Sequence, residues 1–201
     1  MVMNMKIFNR STKIEELSLA ERKKMAADEN TPPRVLKKFS EDTDVVVRQS
    51  AAQNPNTPVA TLVELAEDRE RNVRKVVAQN PNTPIEVLNK LAKSDYRYTR
   101  YGVAQNPNIS AEMLVKLSDD GYLDVRNIVA QNPNTPAEIL TKLAEDEHRV
   151  VRHSVAQNPN TPMTVRVKLA EEDRKQEDIR KILAQKPNVS GKGKYNQGQG
   201  F

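Results

Sequence analysis

The residues best placed to do chemistry form a ladder of arginines. Arg22, Arg48, Arg74, Arg100, Arg126 and Arg152 follow one another at steps of 26 residues, and Arg180 follows after 28. A guanidinium offers a planar fork that matches phosphate or carboxylate, so such a row could track nucleic-acid phosphates or an acidic peptide. A structural reading competes with that one. Asp42, Asp68, Asp120 and Asp146 each precede a ladder arginine by six residues, which sets an acid in a turn and a base on the helix that follows. Pairs of this kind tie helix to helix, within a unit or between units. Arg48, Arg74, Arg100, Arg126 and Arg152 are read here as such ties.

Immediately after each ladder arginine comes a position that refuses to repeat: Lys23, Gln49, Lys75, Tyr101, Asn127, His153 and Lys181. It lies away from the apolar positions and faces a groove if the second helix of each unit lines a concave side. Four tyrosines, Tyr96, Tyr98, Tyr101 and Tyr122, cluster in two adjoining units beside Arg97 and Arg100. Tyr and Arg dominate binding hot spots, and aromatics beside Arg also suit base stacking. Plugging of local gaps is the plainer role for Tyr98 and Tyr122. The groove candidates are therefore Tyr96, Arg97, Tyr98, Tyr101, Tyr122, Lys75, Asn127 and His153. Catalysis finds little support. His148 and His153 are five apart, not at the four-residue spacing of helical metal pairs. There is no phosphate-binding glycine loop, and the acids all have turn or cap positions. The chain is read as not an enzyme, with no cofactor and no metal.

What positions these residues is the stretch AQNPNTP at 52–58, repeated almost letter for letter from Ala78, Ala104, Ala130 and Ala156 and decayed from Ala26 and Ala184. A fixed period of this size denotes stacked repeats. In the unit 57–82, Thr57 suits an N-cap and Pro58 the first helical position. Glu86, Glu112 and Glu138 suit capping boxes in three later copies. Leu62, Leu65 and Ala66 share a helix face. A turn containing Asp68 follows, then a second helix over about 70–79 with Val73, Val76 and Val77 inward. Asn80 ends it, because the residue before Pro81 is pushed out of the α region, and Asn82 suits an Asx-type turn. Amide bonding from repeat to repeat is not expected, since stacked helices sit roughly 8–10 Å apart. Gln53 and its equivalents, one turn beyond the variable row, keep a lesser ligand role. Ile109-Ser110 replaces Thr-Pro and should shift or weaken that cap. Arg166 takes the place of a leucine without any reason visible in sequence, and EEDRKQED at 171–178 reads as a longer, charged turn.

The expected fold is all-α: an α-solenoid of about six 26-residue helix–turn–helix repeats. The expected boundaries are a lead-in at 1–17, a capping half-repeat at 18–30, a repeat domain at 31–188 and a flexible basic Gly/Gln-rich tail at 189–201. Ser18 with Glu21 forms a capping-box pattern in the half-repeat. Of the net charge of +5, Lys186, Lys192 and Lys194 contribute most, so the body is close to neutral. A domain living on phosphate contacts normally shows a clustered basic excess. The absence of Cys excludes disulfides and thiolate metal sites. No apolar run approaches the roughly 18 residues of a membrane span. The opening MVMNMKIFNRST has no signal-peptide pattern, so a cytoplasmic location and no membrane partner are expected.

The pattern T-P-x-x-x-L-x-x-L-A-x-D-x5-R-x-x-V-A-x-N-P, over roughly 18–190, resembles the bacterial leucine-rich-repeat variant family and shares its logic with HEAT repeats. The resemblance implies a right-handed superhelix (a right-handed α-solenoid) of paired helices, one helix of each pair short or 3₁₀. It also implies a cysteine-bound iron–sulfur cluster for the family's known member type, which this cysteine-free chain cannot hold. HEAT-like DNA glycosylases act through groove aromatics and an acid, and no matching residues stand here. The expected function is a non-enzymatic scaffold that binds a protein or peptide along its concave face. The alternative is a nucleic-acid binder using the Arg ladder and Lys tail, and the third reading is an enzyme whose site is not visible in the sequence.

Overall fold

A computed structural model of the chain describes residues 14–185; the expected lead-in before residue 14 and the tail at 189–201 lie outside the described residues. A 3₁₀ turn, Ile14–Glu16, precedes α1, Leu19–Ala27. Five helix pairs follow. Their first helices are α2 Pro33–Phe39, α4 Val59–Leu65, α6 Ile85–Leu91, α8 Ala111–Leu117 and α10 Ala137–Leu143, each of 7 residues. Their second helices are α3 Val45–Gln53, α5 Arg71–Gln79, α7 Arg97–Gln105, α9 Leu123–Gln131 and α11 Arg149–Gln157, each of 9 residues. Both members of each pair are α-helical, so the expected 3₁₀ alternative does not arise within the pairs. The short helices match the expectation of one short member. The array ends in α12, Met163–Gln185.

Helices this short are marginal in isolation, so packing must hold them. Leu36, Leu62, Leu88, Leu114 and Leu140 of the first helices are fully buried, as are Val47, Val73, Val125 and Val151 of the second. The apolar core runs from Ala52 to Leu169, and a second cluster around Phe39 joins the first units. Fully burying one such side chain contributes about 1.5–3 kcal/mol. Contact from unit to unit is made mainly between successive second helices, α1, α3, α5, α7, α9 and α11. That layer is the tighter one and forms the inner side. Gly102 brings α7 closest to its neighbour: a Cβ there would stand 3.0 Å from the Lys75 carbonyl oxygen and 3.2 Å from the Ala78 Cβ.

The turn chemistry departs from expectation in three places. First, the N-caps are Pro58, Pro84 and Pro136, one residue later than expected, and they make no side-chain cap bond. The preceding threonines instead look backwards. Thr57, Thr83, Thr135 and Thr161 donate their hydroxyls to the carbonyls of Ala51, Val77, Val129 and Val155, closing the helix behind them. Glu86 and Glu138 consequently sit in the first turn without a capping box, where they complement the helix dipole. Second, Ser110 does cap α8, accepting from the Met113 N–H at 3.2 Å, so that copy is capped better than its neighbours. Third, the Asx turn is closed by Asn80, whose Oδ1 accepts from the Asn82 N–H at 2.9 Å. The capping box of Ser18 and Glu21 forms as expected.

The stretch 171–178 is not a turn. It lies inside α12, so the array has five helix pairs, a leading half-unit and one long helix rather than about six pairs. Every turn inside the array is closed by a short side chain. Asp42, Asp68, Asp120 and Asp146 each accept the N–H two residues on, at 2.8–3.0 Å, and Ser94 does so at 3.2 Å. Residue 172, the corresponding position, is Glu. Its extra methylene puts the carboxylate out of reach of that tight ring, and a good helix former carries the helix on.

Candidate functional site

The ladder arginines are held on two edges. The Nε–Nη2 edge of Arg48 grips Asp68 of the next unit at 2.7 and 3.1 Å. Arg100 grips Asp120 at 2.6 and 3.0 Å, and Arg126 grips Asp146 at 2.6 and 3.1 Å. Arg22 reaches Asp42 at 2.7 and 3.5 Å. Nη1 turns back to the turn of its own unit, for Arg48 to the Asp42 and Thr43 carbonyls at 2.9 and 3.1 Å. Each guanidinium therefore ties two successive turns. Burial pushes the carboxyl pKa of Asp68 and Asp146 up, but bonds from Arg48 and Arg126 and from a backbone N–H outweigh it and leave both lowered. The carboxylates in turn raise Arg48, Arg100 and Arg126.

Two rungs differ. Arg74 donates to the Asp68 and Arg69 carbonyls at 2.7 and 3.2 Å, but the next turn offers Ser94 in place of a carboxylate. Arg152 donates to the Asp146 and Glu147 carbonyls at 2.8 and 3.1 Å, and the residue in the next register is Glu172 on α12.

A second ladder, of asparagine amides, joins the units, contrary to expectation. Asn80 Nδ2 donates to the carbonyls of Ala52 at 2.7 Å and Asn54 at 3.2 Å. Asn106 reaches Ala78 and Asn80, both at 2.8 Å, and Asn158 reaches Ala130 and Asn132 at 2.7 and 2.9 Å. Asn54 and Asn132 repeat the contact. Outside them, Asn82 and Asn134 donate to Pro55 and Pro107 at 2.6 and 2.9 Å. The spacing argument failed because it compared helix axes. The bonds run from a side chain to the carbonyls where the neighbouring helix ends, and those ends lie within reach. Arg166 now has its reason. Its Nη2 donates to Asn158 and Pro159 carbonyls at 2.7 and 2.9 Å, the atoms that the asparagines of a further unit would satisfy.

The tyrosine cluster is real in space. The Arg97 guanidinium lies 4.7 Å from the Tyr98 ring centre and 5.0 Å from that of Tyr122, and Nη2 donates to the Tyr98 hydroxyl at 2.7 Å. Tyr98 meets Tyr96 edge-on at 5.3 Å. Lys75 lies 5.9 Å over Tyr98, and Arg71, which the sequence did not single out, lies 4.6 Å over Tyr96. Such contacts hold cation and ring in fixed geometry. Tyr98 and Tyr122 are 37% and 47% exposed. The other candidates are not part of the cluster. Tyr101 packs half-buried against the core. Asn127 accepts from the Ser154 hydroxyl at 2.8 Å, and His153 pairs with Gln157 at 3.0 Å. Among the described residues no group of His, Cys, Asp and Glu could hold a metal ion, and no helix is long and apolar enough to cross a membrane.

Comparison with known proteins agrees with this architecture. A leucine-rich repeat variant domain model matches residues 48–95, and a leucine-rich repeat variant model matches residues 123–148. No curated protein matches the sequence. A solved structure described as a leucine-rich repeat variant with a novel repetitive protein structural motif aligns at 25% identity. The alignment covers 78% of this chain and 67% of that one, with a TM-score of 0.58. YibA of Escherichia coli aligns at 17% identity over 74% of this chain and 75% of its own, with a TM-score of 0.49. Residues 48–95 and 123–148 of this all-α solenoid are thus similar to leucine-rich repeat variant units.

Proposed function

We propose that the array is a non-enzymatic scaffold that binds a protein or peptide segment along its inner face, anchored at Arg97, Tyr98 and Tyr122. One observation carries the reading. On a surface whose charged ladders bond to the protein itself, the exposed Tyr98 and Tyr122 are pre-stacked on the half-buried Arg97. Rigid aromatic and Arg side chains lose little entropy on binding, and they are the types that dominate hot spots. The ladder arginines Arg48, Arg100 and Arg126 already hold carboxylates, which favours a peptide over a nucleic-acid backbone as the ligand. The domain limits proposed are a cap at 18–30 and a repeat domain at 31–188.

The test is selection of a displayed random-peptide library on the full chain, followed by fluorescence anisotropy with the enriched peptides. In the double variant Arg97→Ala, Tyr98→Ala the affinity should fall at least about tenfold, or 1.4 kcal/mol, with the melting curve little changed. Enriched peptides that bind the variant as tightly as the wild type would overturn the assignment.

A further inference from the structure

The array ends in an open cleft of about 670 Å³ between α11 and the start of α12. Arg149, Arg152, His153 and Ala156 line it from α11, and Arg166, Leu169, Glu172 and Asp173 are among those lining it from α12. In every earlier unit this place, beside the second helix, holds the next second helix. The sequence contains that helix. DIRKILAQKPN at 178–188 matches DVRNIVAQNPN at 124–134 in seven of eleven positions, with Ile and Leu replacing two of the valines. Yet α12 runs without a break to Gln185, and among the described residues the cleft lining on it reaches Gln176. At 1.5 Å per residue, positions 178–185 begin past the cleft and lead away from it. The hinge is missing because Glu172 stands where the other turns have Asp or Ser. The free edge of Arg152 records the same vacancy.

We infer that the cleft between α11 and α12 is the seat for segment 178–188 of a second copy of this chain, so that two chains exchange their last helices reciprocally. The exchanged segment completes the stack on each α11 through the apolar positions of an intact unit, while Arg166 keeps the Asn158 and Pro159 carbonyls, and an exchange of identical elements closes a two-fold dimer. It leaves α12 straight, as it is seen. Arg149, held by Asp173 at 3.1 Å at the cleft mouth, keeps its partner.

The chain has no cysteine, which makes a cross-link decisive. By the repeat register, position 182 corresponds to Gly102 and position 156 to Ala78. A Cβ at Gly102 would lie 3.2 Å from the Ala78 Cβ, close to the roughly 3.5–4.5 Å of a disulfide. The full-length double variant Ala156→Cys, Ile182→Cys is oxidised and run on a non-reducing gel, with each single variant as control. The expected product is a covalent dimer of the 22.7 kDa chain, formed by the double variant and by neither single variant. An intrachain disulfide would show that the segment folds back on its own cleft, and two free thiols would show that it does not occupy the seat; either result overturns the proposal. Light scattering on the wild-type chain should give twice the chain mass, and a monomer at all concentrations would also refute it. Adding Glu172→Asp restores the hinge residue and should move the cross-link inside one chain. A cross-link that stays between chains would refute the hinge argument.

Discussion

Replacing Asn106 with alanine tests the amide ladder directly. Asn106 is 1% exposed. Its Nδ2 donates to the Ala78 and Asn80 carbonyls at 2.8 Å each, and its Oδ1 accepts from the Asn108 N–H at 2.9 Å. Alanine removes all three bonds, and at about 1 kcal/mol net for each the loss is about 3 kcal/mol. The Ala78 carbonyl is left buried without its donor, which pushes the figure up, while the Asn80 carbonyl keeps the Thr83 N–H at 3.0 Å. Urea unfolding should show a lowered midpoint with an unchanged slope. Asn108→Ala is the control: its side chain is exposed and bonds only to the Pro81 carbonyl, so roughly 1 kcal/mol or less is expected. Asn106→Asp sharpens the test, because it keeps the shape while turning an oxygen towards two carbonyl oxygens. That variant should lose more stability than alanine at neutral pH. If Asn106→Ala costs no more than Asn108→Ala, or if Asn106→Asp matches the wild type, the ladder does not hold the units together.

The remaining predictions concern the guanidinium ladder. Arg126→Ala leaves Asp146, whose side chain is 5% exposed, without its cation and should cost about 3 kcal/mol by thermal or urea unfolding. Arg74→Ala, which strands no carboxylate, should cost clearly less, and equal losses would refute the role of the ion pair. The pKa values of Asp68 and Asp146 are lowered on folding, so their stabilisation is present above the ordinary carboxylate range and lost as pH falls through their depressed folded values. Wild-type melting temperature should therefore fall below about pH 4, and less steeply in Arg126→Ala, in a pH series. Labelled duplex or single-stranded DNA should show no salt-sensitive binding in anisotropy at low ionic strength; a steep salt slope would mean that the ladder contacts phosphates after all.

The architecture was legible in the sequence because a repeat writes its period into the chain, and the apolar faces of Leu62, Val73 and Val77 follow from spacing alone. Direction was the harder thing to read. Thr57 and Pro58 look like a helix start under local rules, but the threonine bonds to the helix behind it. The same local view made Asn80 a terminator, which it is, but missed that its amide acts on the previous unit 26 and 28 residues back. Arg166 looked anomalous because its partners are backbone carbonyls, which no sequence pattern marks. The tyrosine cluster was visible as composition, yet which tyrosines stack on Arg97 required the turn geometry that brings Tyr122 across to it.

The two ladders also explain why some positions vary freely. Both bond side chains to backbone carbonyls or to turn carboxylates, so the spacing between units is set by atoms that do not depend on the outward row. Gln49, Lys75, Tyr101, Asn127 and His153 can then change without unstacking the array. Where a rung changes, the consequence depends on what the lost residue did for the backbone. At Ser94 the hydroxyl still closes the turn, accepting from the Tyr96 N–H, and the array continues past Arg74 without its ion pair. At Glu172 the charge is kept but the turn is lost, and the array stops. Turn closure, and not the ion pair, is therefore what permits another unit to fold back onto the stack.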